Sequence, residues 1–170
     1  MAMSEALSDE EVQAAWASLA EEVRTGALLT LRSGRPFGSH VPYVFGEQWT
    51  RAYIHVSGLA LHTGHLLQDA RVGLFVSEPD RPEKNPSALR RMNLQGEAVL
   101  LHAGASNYAE VKERYLARFP QSAMMFSFSD FSLWELRFQD AHLVLGFGQA
   151  YLADATTPLA WTHQKLEQKK

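Results

Sequence analysis

The stretch His55-Val-Ser-Gly-Leu-Ala-Leu-His-Thr-Gly-His-Leu66 holds three histidines, a serine and a threonine. The alternation Arg51-Ala-Tyr-Ile-His-Val56 reads as a half-buried strand, and Leu59, Leu66 and Leu67 fit a helix face, so these donors fall on a strand-to-helix junction. Free N–H groups at a helix start, beside hydroxyls and a protonatable imidazole, suit a phosphate monoester. The junction therefore reads as the phosphate end of a nucleotide-like cofactor site, against the plainer reading of a polar surface turn. His62 can donate to a phosphate oxygen, and a bound dianion would raise its pKa; its competing role is to cover a strand edge. Ser57 and Thr63 either donate to the same phosphate or cap the helix. Arg91 offers a planar guanidinium fork to an anion, or pairs with Glu97 or Glu83. Only His62 and His65 have a spacing that resembles a metal pair, so no metal site is expected.

The composition limits the chemistry further. With 170 residues, 46% apolar and 21% charged, the chain is expected to form one domain, with 1–26 an N-terminal helix, 27–151 the body and 152–170 a tail. It has no cysteine, which excludes disulfides, thiolate metal sites and cysteine nucleophiles, so redox chemistry would need a bound cofactor. A net charge of -3 gives no general attraction to nucleic acid or anionic lipid. No apolar run is long enough for a membrane span and the N-terminus lacks signal-peptide features, which leads us to expect a cytoplasmic protein.

The elements that must position the junction follow from local patterns. Ser8 ahead of Asp9, Glu10 and Glu11 starts a helix whose Val12, Trp16, Leu19 and Val23 share a face, with Gly26 as its stop. Residues 27–32 and 38–45 read as a hairpin around Ser33-Gly34-Arg35-Pro36, and the next strand ends at His55. After a helix near 59–69, Val72–Val76 is a strand and Glu78–Pro86 an exposed, proline-rich loop, a candidate lid. Arg91–Leu101 is a longer strand with a bulge or close approach at Gly96. Asn107 and Glu110 suggest a capping box for a helix ending at Pro120. Phe126-Ser-Phe-Ser-Asp-Phe131 has no periodicity that assigns it, and Met124-Met125-Phe126 could cover a planar ligand. Leu133–Phe138 and His142–Gly146 read as a hairpin around Gln139-Asp140, and a short C-terminal helix is expected. The fold class is mainly β: a six- to seven-stranded antiparallel barrel with flanking helices.

Four motifs in this order, Gly34-Arg-Pro-Phe-Gly-Ser-His-Val-Pro-Tyr43, Ser57–Leu66, Arg90-Arg-Met-Asn-Leu-Gln-Gly96 and Gly146-Phe-Gly-Gln-Ala-Tyr151, give the chain its resemblance to the FMN-binding split-barrel superfamily, the pyridoxamine 5'-phosphate oxidase-like proteins. It looks closest to the haem-utilisation branch. The resemblance implies a homodimer with FMN between subunits, Ser39, Val41 and Tyr43 along the ring and ribityl chain, and His55, Ser57 and the helix start near the phosphate. The family's phosphate lysine falls at His62 and an arginine of the oxidase pattern at Leu61, so Thr63 or Arg91 would have to compensate. For the haem branch, the resemblance implies His163 as an axial ligand and Asp130 as an acidic site residue. The function expected on these grounds is a flavin-dependent oxidoreductase acting on an unidentified small molecule. The alternatives are a haem-binding or haem-degrading protein of the same fold, and a non-catalytic flavin carrier.

Overall fold

The computed structural model describes residues 5–164. Helix α1 (Asp9–Glu22) opens on a capping box: the Glu11 N–H donates to Ser8 Oγ, and the Ser8 N–H donates back to Glu11 Oε2. It ends at Val23, not at Gly26. Arg118, from a later helix, donates to the carbonyls of Ala20, Glu21 and Val23 and so satisfies the helix end. Gly26 belongs instead to strand β1 (Thr25–Arg32), where a Cβ would sit 2.9 Å from the Phe75 carbonyl oxygen.

Strand β2 (Arg35–Pro42) returns after a turn of two residues, Ser33 and Gly34, both at positive φ, which matches the twist of a tight hairpin. Then come β3 (Val44–Phe45), β4 (Arg51–Ser57), α2 (Leu61–Gln68), β5 (Arg71–Ser77), β6 (Arg91–Leu101), α3 (Tyr108–Arg118), β7 (Phe131–Gly146), β8 (Gln149–Asp154) and β9 (Thr162–His163). The nine strands found among the described residues exceed the six or seven expected, and two of them are only two residues long. The tail carries β9, while the expected terminal helix lies largely outside the described residues.

Every pairing is antiparallel, in the order β2-β1-β5-β6-β7-β4-β3, with β8 on β7 and β9 on β8. The two ends of that path, β2 and β3, are consecutive in the chain with Tyr43 between them, so the sheet curls into a split barrel. Its interior is an apolar cluster that includes Leu28, Ile54, Leu74, Leu94, Leu136 and Leu143, closed on one side by α1 through Val12, Trp16 and Leu19.

The expected hairpin at Gln139-Asp140 is absent: β7 runs unbroken for 16 residues. Gln95 pairs with Asp140 and Gly96 with Phe138, leaving Gln139 as a bulge. The bulge lets one strand serve two neighbours, β4 before it and β8 after it. Gly96 is required there, because a Cβ would lie 1.8 Å from the Arg137 carbonyl oxygen. No helix among the described residues is long and apolar enough to cross a membrane.

Candidate functional site

The junction between β4 and α2 is where sequence and structure agree most closely. Ser57 ends the strand, and its Oγ donates to Asp130 Oδ2 at 2.7 Å while accepting the Leu59 N–H. The Gly58 N–H donates to the Asp130 carbonyl at 2.5 Å, and Thr63 Oγ1 donates to the Ser57 carbonyl at 2.7 Å. Ala60 caps α2 without a side-chain bond. Each hydroxyl expected to hold a phosphate thus donates inside the protein, one of them to the Asp130 carboxylate.

His62 and His65 share this helix with different surroundings. His65 is buried, with Nδ1 3.0 Å from Thr30 Oγ1 and its ring edge-on to Phe37. His62 is half-buried, and its Nε2 is shut from solvent without a partner. Burial, and then the neighbouring His65, hold the His62 pKa below the usual imidazole range. Without a ligand the ring therefore favours its neutral form, which carries one N–H donor and no charge. Leu59 and Leu61 stand 88% and 61% exposed on the same turn, and Phe128, 43% exposed, flanks Asp130. Three exposed apolar side chains therefore lie within four positions of Ser57 or Asp130 in the chain, which sequence reasoning did not single out. Their signal was the pair of leucines in a turn that polar residues normally occupy.

The other candidates lie elsewhere. His55 points to the outside of β4, beneath α3 and the 3₁₀ helix Pro120–Ser127. Its ring stacks on Phe126 at 3.7 Å and 7°, with Tyr115 edge-on. Burial, and then Lys112, push its pKa down to about 4, so it is a neutral packing residue and not a phosphate neighbour. Phe126 covers His55, which accounts for part of the aromatic stretch left unassigned from sequence. Val41 and Tyr43 point into the core; the Tyr43 hydroxyl donates to the Val23 carbonyl at 2.6 Å, and burial raises its pKa. They have only backbone to offer a ligand. Ser39 is half-buried on the outermost strand, opposite Leu28.

Arg91 donates to the Ser87 and Leu89 carbonyls rather than to Glu97 or Glu83. His163 lies on β9 with Nε2 2.7 Å from the Gly148 carbonyl oxygen, its Nδ1 buried without a partner and its ring on Tyr151. Arg91 pairs with Val144, and His163 with Tyr151, which pairs with Leu143. Ser57, by contrast, pairs with Phe131. The candidates therefore fall at the two ends of β7, and one chain does not bring them together. Nor is the 78–86 loop free to act as a lid. Glu78 is buried and accepts from Lys84 Nζ, the Arg90 N–H and Arg90 Nε, and Arg90 continues to Glu22 of α1. Asn107, finally, precedes α3 but its side chain makes no capping bond.

A family model described as CREG, beta-barrel matches residues 8–157. The haem oxygenase HutZ of Vibrio cholerae is 25% identical over 145 residues, covering 84% of this chain and 81% of HutZ. The crystal structure of HutZ, described as the haem storage protein of Vibrio cholerae, aligns with a TM-score of 0.68 at 21% identity over 75% of this chain and 90% of that one. A haem-binding protein from Mycobacterium smegmatis aligns with a TM-score of 0.76 at 26% identity; 91% of this chain is covered, but only 61% of that longer protein. A putative pyridoxamine 5'-phosphate oxidase from Listeria innocua shares the fold, with a TM-score of 0.60 at 12% identity over 79% of this chain and 99% of that one.

Proposed function

This chain belongs to the CREG β-barrel family, and from that premise we propose that it is a haem-binding protein of the haem-utilisation type, acting as a homodimer, rather than a flavin-dependent oxidoreductase. One observation carries the choice. At the junction where FMN would place its phosphate, Ser57 and Thr63 are engaged within the protein, His62 favours its neutral form, and Asp130 contributes negative charge. A dianionic phosphate finds no clamp there, and FMN does not fit these residues.

A porphyrin asks for different things: apolar cover for its faces and a neutral imidazole for its iron. Leu59, Leu61 and Phe128 supply the first at the junction. His163 is the candidate for the second. Its ring must leave the Gly148 carbonyl to face a ligand, and because it sits at the far end of β7 it would reach the junction of a second copy. Ser57, Gly58 and Asp130 would fix the shape of the turn that carries the two leucines. The bound iron would supply any redox chemistry. The relatives named for haem support this reading, whereas likeness to flavin-type proteins is confined to fold.

Titrating the purified chain with haemin tests it. A saturable Soret band is expected, lost in His163→Ala with an unchanged far-UV spectrum. A protein that purifies yellow, retains FMN and shows only non-saturating haemin uptake would overturn it.

A further inference from the structure

A polar cleft opens at the start of β4, the end of that strand remote from Ser57. One wall is the turn 46–50 and the other is α3. The Gly46 N–H donates to the Arg51 carbonyl at 2.9 Å and closes the turn, and the buried Trp49 within it donates from Nε1 to the Pro158 carbonyl at 2.7 Å. Val111 and Tyr115 hold α3 in an apolar cluster with Tyr53. Both walls are thus anchored, and the space between them is about 330 Å³, room for one small molecule.

The charges here do not cancel pair by pair. Glu135, 2% exposed and opposite Tyr53 in the sheet, accepts from Arg51 Nη1 at 2.8 Å through one oxygen. Its other oxygen accepts from Arg137 Nε at 2.8 Å and Nη2 at 2.7 Å. One carboxylate therefore answers two guanidiniums, and Arg51 lines the cleft with charge left over. On the α3 wall Arg114 holds Glu110 in an exposed pair, an interaction of little strength. Glu47, on the turn, is exposed and enters no ion pair among the described residues. The Tyr53 hydroxyl lies in the field of both arginines. Burial, and then Glu135, raise its pKa, while Arg51, which hydrogen-bonds it, and Arg114 pull the other way. A phenol oxygen that accepts from Arg51 still has its own proton to donate.

We propose that this cleft binds a small zwitterion of the amino-acid class, with its carboxylate on Arg51, Arg114 and the Tyr53 hydroxyl and its ammonium on Glu47. A simple anion meets Glu47 and Glu110 with the wrong sign, and a simple cation meets two guanidiniums. A molecule that carries both signs a few atoms apart answers each. The guanidinium forks match a planar carboxylate. Gln48 and Thr50 in the same lining favour an amino acid whose own side chain is polar.

This site needs no haem, so it and the proposed function fail separately. The test uses the full chain and the free amino acids, each titrated singly by calorimetry and against thermal unfolding. At least one with a polar side chain should bind saturably and raise the unfolding midpoint. Its N-acetyl and carboxamide forms, each lacking one of the two charges, should bind at least about tenfold more weakly. Glu47→Gln and Arg114→Gln, which leave the bonds to Glu135 in place, should each weaken binding by about tenfold. A panel in which no amino acid saturates, an N-acetyl form that binds as well as its parent, or binding that survives both substitutions would overturn the proposal.

Discussion

The outward residues of β4 and the first half of β7 belong to the same sheet as those of β1, β5 and β8, and they meet opposite fates. On the first side α3 and the following 3₁₀ helix lie over the sheet, and Tyr53, Leu101, Leu133, Val111, Tyr115 and Phe119 form a second core cluster, each under 9% exposed. On the other side Leu29, Phe75 and Leu152 keep more than a third of their surface, and two polar atoms between them, Asn93 Oδ1 and His142 Nε2, lack partners. The side chains are of similar kinds, so the cover makes the difference. Burying one such residue is worth about 1.5–3 kcal/mol. The covered side has gained that on folding, and the bare side has gained less of it.

Substitutions can break or sharpen this contrast. The largest effect is expected at Gly96, where β7 passes from one side to the other. Gly96→Ala forces a Cβ into the Arg137 carbonyl and should cost on the order of 4 kcal/mol in urea unfolding, or prevent folding. Next comes the contrast itself. Leu133→Ala on the covered side should cost about 3 kcal/mol, whereas Leu152→Ala on the bare side should cost less than about 0.5 kcal/mol. Similar losses at both positions would erase the distinction.

The covered side also has a pH signature. The His55 pKa in the folded protein is about 4, below the ordinary value of about 6.5 for the unfolded chain. As pH falls the unfolded chain takes the proton first. His55's contribution is therefore complete above about 6.5 and lost as pH falls towards 4, on the order of 3 kcal/mol across that window. His55→Phe should flatten this part of the stability profile. The smallest effect is expected at the junction turn, where Ser57→Ala removes the bond to Asp130 and should lower stability by about 1 kcal/mol.

Much of this was legible in the residues. Alternation and turn chemistry placed β1 with β2, β4, β5 and β6, and Ser8 with its acids placed α1, because those signals act within a few positions. The failures were non-local. Nothing near Gln139-Asp140 tells that the chain continues straight through, since the bulge depends on Gly96 more than forty positions away in sequence. Gly26 resembled a helix stop because its real constraint, the Phe75 carbonyl, lies on another strand. At the site, Ser57, Thr63 and His62 were found together as expected. Their engagement with Asp130 and with the backbone became visible only once Asp130, just ahead of β7, was seen beside them.

In the proposed function, one copy's junction and another's His163 serve the same haem. Chains carrying Leu59→Asp with Leu61→Asp and chains carrying His163→Ala should each lose saturable haemin binding. Co-expressed under different tags and purified through both, the mixed dimer holds one intact pairing of leucine turn and imidazole. It should regain about half of the wild-type Soret amplitude per dimer. A mixed dimer with no more binding than its parents would contradict the shared site.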